Sequence, residues 1–163
     1  MKGLGKSGVY GVGRAIIWAG KPYESMMISD SGPVYNEIKN AGLASVVKCL
    51  GYGLSGTTMR YLALGSDSTA NDPTQTALIA EISTNNLARA AATVSKETTT
   101  TADDTVRFIK QWSASGDSTV EEVGIFDTPT TGGVMLGRLL PGTQTLHNGN
   151  TFQFTYDVVF ARA

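Results

Sequence analysis

The strongest periodic signal in the chain lies near its end. Phe152, Phe154, Tyr156, Val158 and Phe160 occupy every second position, with Thr151, Gln153, Thr155 and Asp157 between them. A period of two gives a strand one apolar face and one mostly polar face, whereas a helix would scatter the aromatics around its circumference. Ahead of this run, Asn148 is followed by Gly149, a pair that tolerates the positive φ of a tight hairpin turn. An apolar ladder of this length needs a second layer to cover it. The expected fold is therefore mainly β: an antiparallel, jelly-roll-like β-sandwich with about two short helices.

The rest of the pattern fills in the elements. Gly3, Gly5, Gly8, Gly11 and Gly13 make residues 1–13 costly to order. This segment is expected to be a flexible arm that orders against a neighbour, with Val9, Tyr10 and Val12 as spaced assembly contacts. Residues 14–163 are expected to form a single sandwich domain. A strand is predicted over 14–19, with residues 23–29 as its hairpin partner. Val34, Ile38, Leu43, Val46, Val47 and Leu50 follow helical spacing and predict a helix over 34–50, which Gly42 weakens by ~1 kcal/mol relative to Ala. Residues 60–64 read as a short strand. Asp72 before Pro73, with Gln75 three positions on, matches a capping box and predicts a second helix over 73–83 carrying Leu78, Ile79 and Ile82. Residues 87–97 and 105–112 form the arms of a hairpin with a Thr-rich tip, placing Val106, Phe108 and Trp112 on one face. Strands over 119–126, with Gly124 at a bulge, and over 134–140 complete the set. Turns recur at intervals that favour a sandwich over βαβ units.

Composition narrows the function. A chain of 163 residues suits one domain, which buries roughly 70% of its unfolded surface. Thirteen basic residues stand against 14 acidic ones, so no basic excess points to nucleic acid. Cys49 is the single cysteine, which excludes an intrachain disulfide and suits a small buried hydrophobe. No run of 18 apolar residues predicts a membrane span, and the N-terminal pattern is not that of a signal peptide, so synthesis in a cytoplasm is expected.

Candidate chemistry is sparse. Gly8, Gly11 and Gly13 have the wrong spacing and context for a dinucleotide loop. His147 is the single histidine, in a turn, with no cysteine pair to join it in a zinc site. No Gly-x-Ser-x-Gly elbow is present. Glu121 and Glu122 are adjacent on a strand and face opposite ways, so they cannot act as a carboxylate pair on one substrate. One is expected to face solvent and the other to pair inward with Arg107, Arg138 or Arg89. Asp67, Asp72, Asp103 and Asp104 lie in loops without an EF-hand pattern. Tyr10, Trp18, Tyr23, Tyr35, Tyr52 and Tyr61 crowd the first half, and a carbohydrate platform would need two or three of them exposed together. No catalytic, cofactor-binding or metal-binding residues are expected.

The order of several short motifs carries a resemblance. They are residues 40–43 (Asn-Ala-Gly-Leu), 61–66 (Tyr-Leu-Ala-Leu-Gly-Ser) and 72–78 (Asp-Pro-Thr-Gln-Thr-Ala-Leu), then Glu81 with Ile82, Arg89 and Trp112. Residues 122–126 (Glu-Val-Gly-Ile-Phe) and 136–139 (Leu-Gly-Arg-Leu) follow. From about residue 36 to 140 this order resembles a group of small tailed-bacteriophage virion proteins, variously labelled tail-fibre, head-fibre or head-decoration proteins. The resemblance implies a virion structural component without enzyme activity, cofactor or site residues to carry over. The expectation is a capsid decoration or cement protein, a homotrimer bound to the major capsid protein or other virion proteins, with no nucleic-acid or membrane partner. A tail-fibre or baseplate adaptor is the alternative, and a carbohydrate- or receptor-binding module is a second one.

Overall fold

The computed structural model describes residues 8–19, 26–51, 58–99 and 101–161. Within them the chain is mainly antiparallel β. The elements run β1 (Gly8–Ala19), β2 (Met27–Asp30), β3 (Val34–Ile38), α1 (Asn40–Gly51), β4 (Tyr61–Gly65), β5 (Ala90–Ala91) and β6 (Thr93–Glu97). β7 (Thr105–Ser113), β8 (Ser118–Val120), β9 (Glu122–Phe126), β10 (Met135–Leu139), β11 (Gln144–Leu146) and β12 (Asn150–Ala161) follow. The hydrogen-bonded order is β5-β4-β9-β10-β3-β1-β12-β7-β6, with β2 beside β1 and a separate β11-β8 pair. β3 joins two leaflets: residues 34–36 pair with β1, and residues 37 and 38 pair with β10. The arrangement is an open sandwich and not a closed barrel.

The aromatic strand is its spine. β12 pairs with β1 from Gly8 opposite Ala161 to Ala19 opposite Asn150, and with β7 on its other side. Phe152, Phe154, Tyr156 and Val158 are buried as the alternation requires, whereas Phe160, at the strand's end, is 42% exposed. From the first leaflet they meet Ala15, Ile17, Phe108 and Trp112, and from the second Leu62, Leu64, Val123, Ile125, Leu136 and Leu139, in one core. Phe152 stacks on Phe154 with ring centroids 6.3 Å apart, and Trp112 Nε1 donates to the Ala88 carbonyl at 2.9 Å. Gly13 faces this core: a Cβ there would sit 2.5 Å from Leu139 Cδ1 and 2.6 Å from the Phe154 ring. The expected arm over 1–13 is thus corrected for residues 8–13, which are the first half of β1, built into the sheet. Residues 1–7 and 20–25 lie outside the described set, the latter including the start of the hairpin partner expected over 23–29, which forms strand from Met27.

Both predicted helices are revised. Residues 34–38 form β3, and α1 starts at Asn40, where Leu43 N–H donates to the Lys39 carbonyl. Gly42 brings α1 close to β10, since a Cβ there would collide with the Leu136 backbone. The predicted helix over 73–83 is absent, although its cap forms. Asp72 Oδ1 accepts from Thr74 N–H at 2.7 Å, and Gln75 Oε1 accepts from Asp72 N–H at 3.2 Å. Tertiary partners then capture the next turn. Ile79 and Ala80 N–H donate to the Glu122 carboxylate, Ser66 N–H to the Ala80 carbonyl, and Ile82 N–H to the Leu64 carbonyl. The chain bends at residues 79 and 80, and residues 81 and 82 then lie along β4, with Glu81 bridged to Gly65. The expected strand over 119–126 is split at Glu121, and the bulge falls in β10 between Met135 and Gly137, not at Gly124.

Glu122 and Arg138 are both fully buried, and Arg138 Nε donates to Glu122 Oε2 at 2.5 Å. Arg138 also reaches the Thr69 carbonyl at 2.8 Å and the Asp67 carbonyl at 3.3 Å. Buried Lys39 donates to the Asp72 carbonyl at 2.8 Å and to Gln75 Oε1 at 3.2 Å. One solvent-facing and one inward glutamate were expected at 121 and 122. Glu122 is the inward one, while half-buried Glu121 accepts from Thr143.

Two stability predictions follow from this packing. Phe154→Ala is expected to cost ~3–5 kcal/mol in urea unfolding, as for buried aromatics in cores, and Thr155→Ala, on the opposite face, under ~1 kcal/mol. Arg138→Leu strands the Glu122 carboxylate and is expected to cost ~3–5 kcal/mol. Glu122→Met combined with Arg138→Leu is expected to recover part of that loss. Amide exchange at Ile79 and Ala80 should accelerate in the single variant, and unchanged protection would show that the pair does not hold that segment.

Candidate functional site

The outer face of the first leaflet gathers the surface features. In β1 the buried Gly11, Gly13, Ala15 and Ile17 alternate with Tyr10, Val12, Arg14, Ile16 and Trp18, which therefore look outward. Tyr10 and Val12, two of the expected assembly contacts, are half-buried here. Val12 is opposite Tyr35, whose ring lies 6.3 Å from that of Tyr10 and is 57% exposed. Val9 pairs through its backbone with Phe160, and its side chain lies outside the described set. The three expected contacts thus sit on a sheet strand.

β2 borders this face. It bonds only to β1 among the described strands, which leaves its other edge without a described strand partner. Met26, Met27 and Ile28 run consecutively there, each about half exposed or more. Consecutive exposed apolar residues on a strand are what soluble proteins ordinarily avoid and what contact surfaces use. Beside them, the Arg14 guanidinium takes both Asp30 carboxylate oxygens, and Gly32 N–H donates to Asp30 Oδ1 at 2.9 Å. The Arg14 hydrogen bond, and after it that of Gly32, lower the Asp30 pKa to about 2. Further along, Arg107 forms two 2.8 Å hydrogen bonds to Asp157 across the β7–β12 pair.

The opposite end of the same face carries an open groove of about 620 Å³, lined by Trp18, Ala91, Thr93, Ile109, Lys110, Gln111 and Gln153. Gln111 is directly opposite Gln153 in the ladder. Sequence reading listed Trp18 among its aromatics but missed the amide pair, because two glutamines 42 positions apart give no signal until the register is known.

The other sequence candidates stay apart. His147 lies at an exposed turn 3.3 Å from Asp117, and Asp67 and Asp72 hold Thr69 and Thr74 backbone N–H groups in local turns. Among the described residues no three His, Cys, Asp or Glu side chains gather as metal ligands. No described helix is long and apolar enough to cross a membrane. Arg89, quoted for the resemblance, clamps Glu81 in a two-pronged pair, lies 3.6 Å from the Phe126 ring centroid and holds the 127–133 loop through the Thr130 carbonyl at 2.6 Å.

A family model described as Podophage GP4 fiber I protein gp80 matches residues 53–159, from before β4 to near the end of β12. The chain belongs to this family. It is accordingly a structural protein of a tailed-phage virion. No curated protein and no solved structure matches it. The gp80-family match contains the Glu122–Arg138 pair and the Arg89 clamp, along with most of the groove lining. β1, β2, β3 and α1, and with them Tyr10, Val12 and Trp18, precede the matched region.

The lowered Asp30 pKa has a direct check. The folded-state value is below that of an unfolded aspartate, so the Asp30–Arg14 contribution is present above about pH 4 and lost as pH falls toward 2. An NMR titration should place the Asp30 midpoint near 2 and move it upward in Arg14→Ala. A midpoint that ignores the substitution would show that the guanidinium does not hold the carboxylate.

Proposed function

We propose that this protein is a subunit of a virion fibre, or of the adaptor that seats one, and works by binding neighbouring virion proteins and not by catalysis. The family match over residues 53–159 carries the reading, and its description supports the fibre alternative over the head-decoration expectation. The surface fits a contact role. Met26, Met27 and Ile28 at β2, with Tyr35 beside Tyr10 and Val12, offer apolar area outside the fold's own core. In this reading Tyr10 and Val12 keep their role as assembly contacts, presented from the sheet, and Val9 holds the strand beside them. The assembly is a homo-oligomer, with a trimer as the expected state. Closed symmetry gives each weak contact several copies, so modest affinity per contact suffices.

Quantitative mass spectrometry of purified particles tests the placement. A fibre or adaptor subunit is expected at a few to some tens of copies per virion, alongside loss of particle association in a Met27→Asp, Ile28→Asp double variant. Hundreds of copies would place the protein on the head lattice and overturn the fibre reading. Light scattering of the isolated protein reads the oligomeric state directly.

A further inference from the structure

Helix α1 has two apolar faces, and the fold uses one of them. Gly42 is buried against the Leu136 backbone, and half-buried Ser45 and Val46 lie on the same side, with Val46 packed on the core. The opposite side presents Asn40, Leu43, Ala44 and Val47, all exposed, Leu43 at 42% and Val47 at 61%. We propose that this outer face is a seam between copies of the protein, with α1 of one subunit packed parallel to α1 of another around the axis of the assembly. The seam rests on the homo-oligomer reading above and names where the copies meet.

The spacing points to a second helix of the same kind. Asn40, Leu43, Val47 and Leu50 stand three, four and three positions apart, which is the a-d-a-d order of a coiled-coil seam. A β-branched residue at a with leucine at d suits parallel helices, and a single asparagine at a fixes their register. Leu50 is the fourth member by position, and its side chain lies outside the described set. A helix that is apolar on both sides is one that is covered on both.

Charge distinguishes a second copy from a foreign partner. Around a rotation axis equivalent residues of the copies meet, so a charge on the seam would face its like. Residues 40–47 contain no charged side chain, and Lys48, the one charge of α1, falls at b, off the seam. A different chain is ordinarily selected by charges at e and g. Here those positions are Ala44 and Val46, which have none to offer. The helix also precedes the family-matched residues 53–159, so the seam belongs to the part of the chain outside that match.

Length sets the strength. Twelve residues rise only about 18 Å, too little to hold helices together unaided. The seam therefore sets the register of subunits that other surfaces also hold.

Sedimentation velocity of the full-length protein over a concentration series tests this. Leu43→Glu combined with Val47→Glu is expected to weaken self-association about a hundredfold or more, with circular dichroism and melting temperature unchanged because both positions lie off the core. In a Cys49→Ser background, Val47→Cys is expected to cross-link copies on mild oxidation, and Ser45→Cys, on the inner side, is not. An oligomer that the double glutamate variant leaves intact overturns the seam while the homo-oligomer reading stands. Cross-linking at Ser45→Cys as strong as at Val47→Cys also overturns it. A monomeric unmodified protein overturns both.

Discussion

A buried arginine and a buried glutamate set the terms for the second leaflet. Neither could be taken from water alone without a penalty of several kcal/mol, and their attraction offsets that only if the remaining donors and acceptors are met. The chain meets them with backbone. Glu122 takes the amides of Ile79 and Ala80, and Arg138 takes the carbonyls of Asp67 and Thr69. The long segment between β4 and β5 is therefore wound around the pair and does not coil on itself. Gly65 follows from the same constraint, because a Cβ there would collide with the Glu122 carboxylate. Lys39 extends the network to the start of α1, so strand, loop and helix share one electrostatic centre.

The first leaflet is organised by the opposite physics. Its inner face is a column of aromatic rings, and its charged pairs, Arg14 with Asp30 and Arg107 with Asp157, lie on the outer face where water screens them. The two leaflets meet in one apolar core and are hydrogen-bonded to each other through β3. Stability is thus drawn from area in one half and from polar satisfaction in the other.

This division explains what could be read from the sequence. The β12 alternation, the Asn148–Gly149 turn and the inward placement of Phe108 and Trp112 follow from period-two patterning, which needs no knowledge of partners. Residues 73–83 defeated the same approach. Their capping box is real, but the amides that would have continued the helix are claimed by a carboxylate 40 or more positions away. Glycines misled at residues 8–13, where composition suggested an arm and packing against Leu139 and Phe154 demands the absence of side chains. Tyr10 and Val12 were legible as spaced apolar positions, while the outward face they occupy follows only from the pairing of β1. The groove was not legible, since it depends on the register that sets Gln111 against Gln153.

The pairing of β1 with β12 also has a mechanical side. Gly8 stands opposite Ala161, and the ladder runs from there to Ala19 and Asn150. Tension applied through the chain on either side of that first pair pulls the two strands apart at one end, breaking hydrogen bonds in succession as a zipper opens. Shear would instead load all of them together. A particle component that must survive the drag of a moving virion is better anchored through the broad faces of its sheets than through these two strand ends. Load entering by way of β2 reaches β1 sideways at Ile16, Ile17 and Trp18, far from the Gly8–Ala161 end at which the zipper opens.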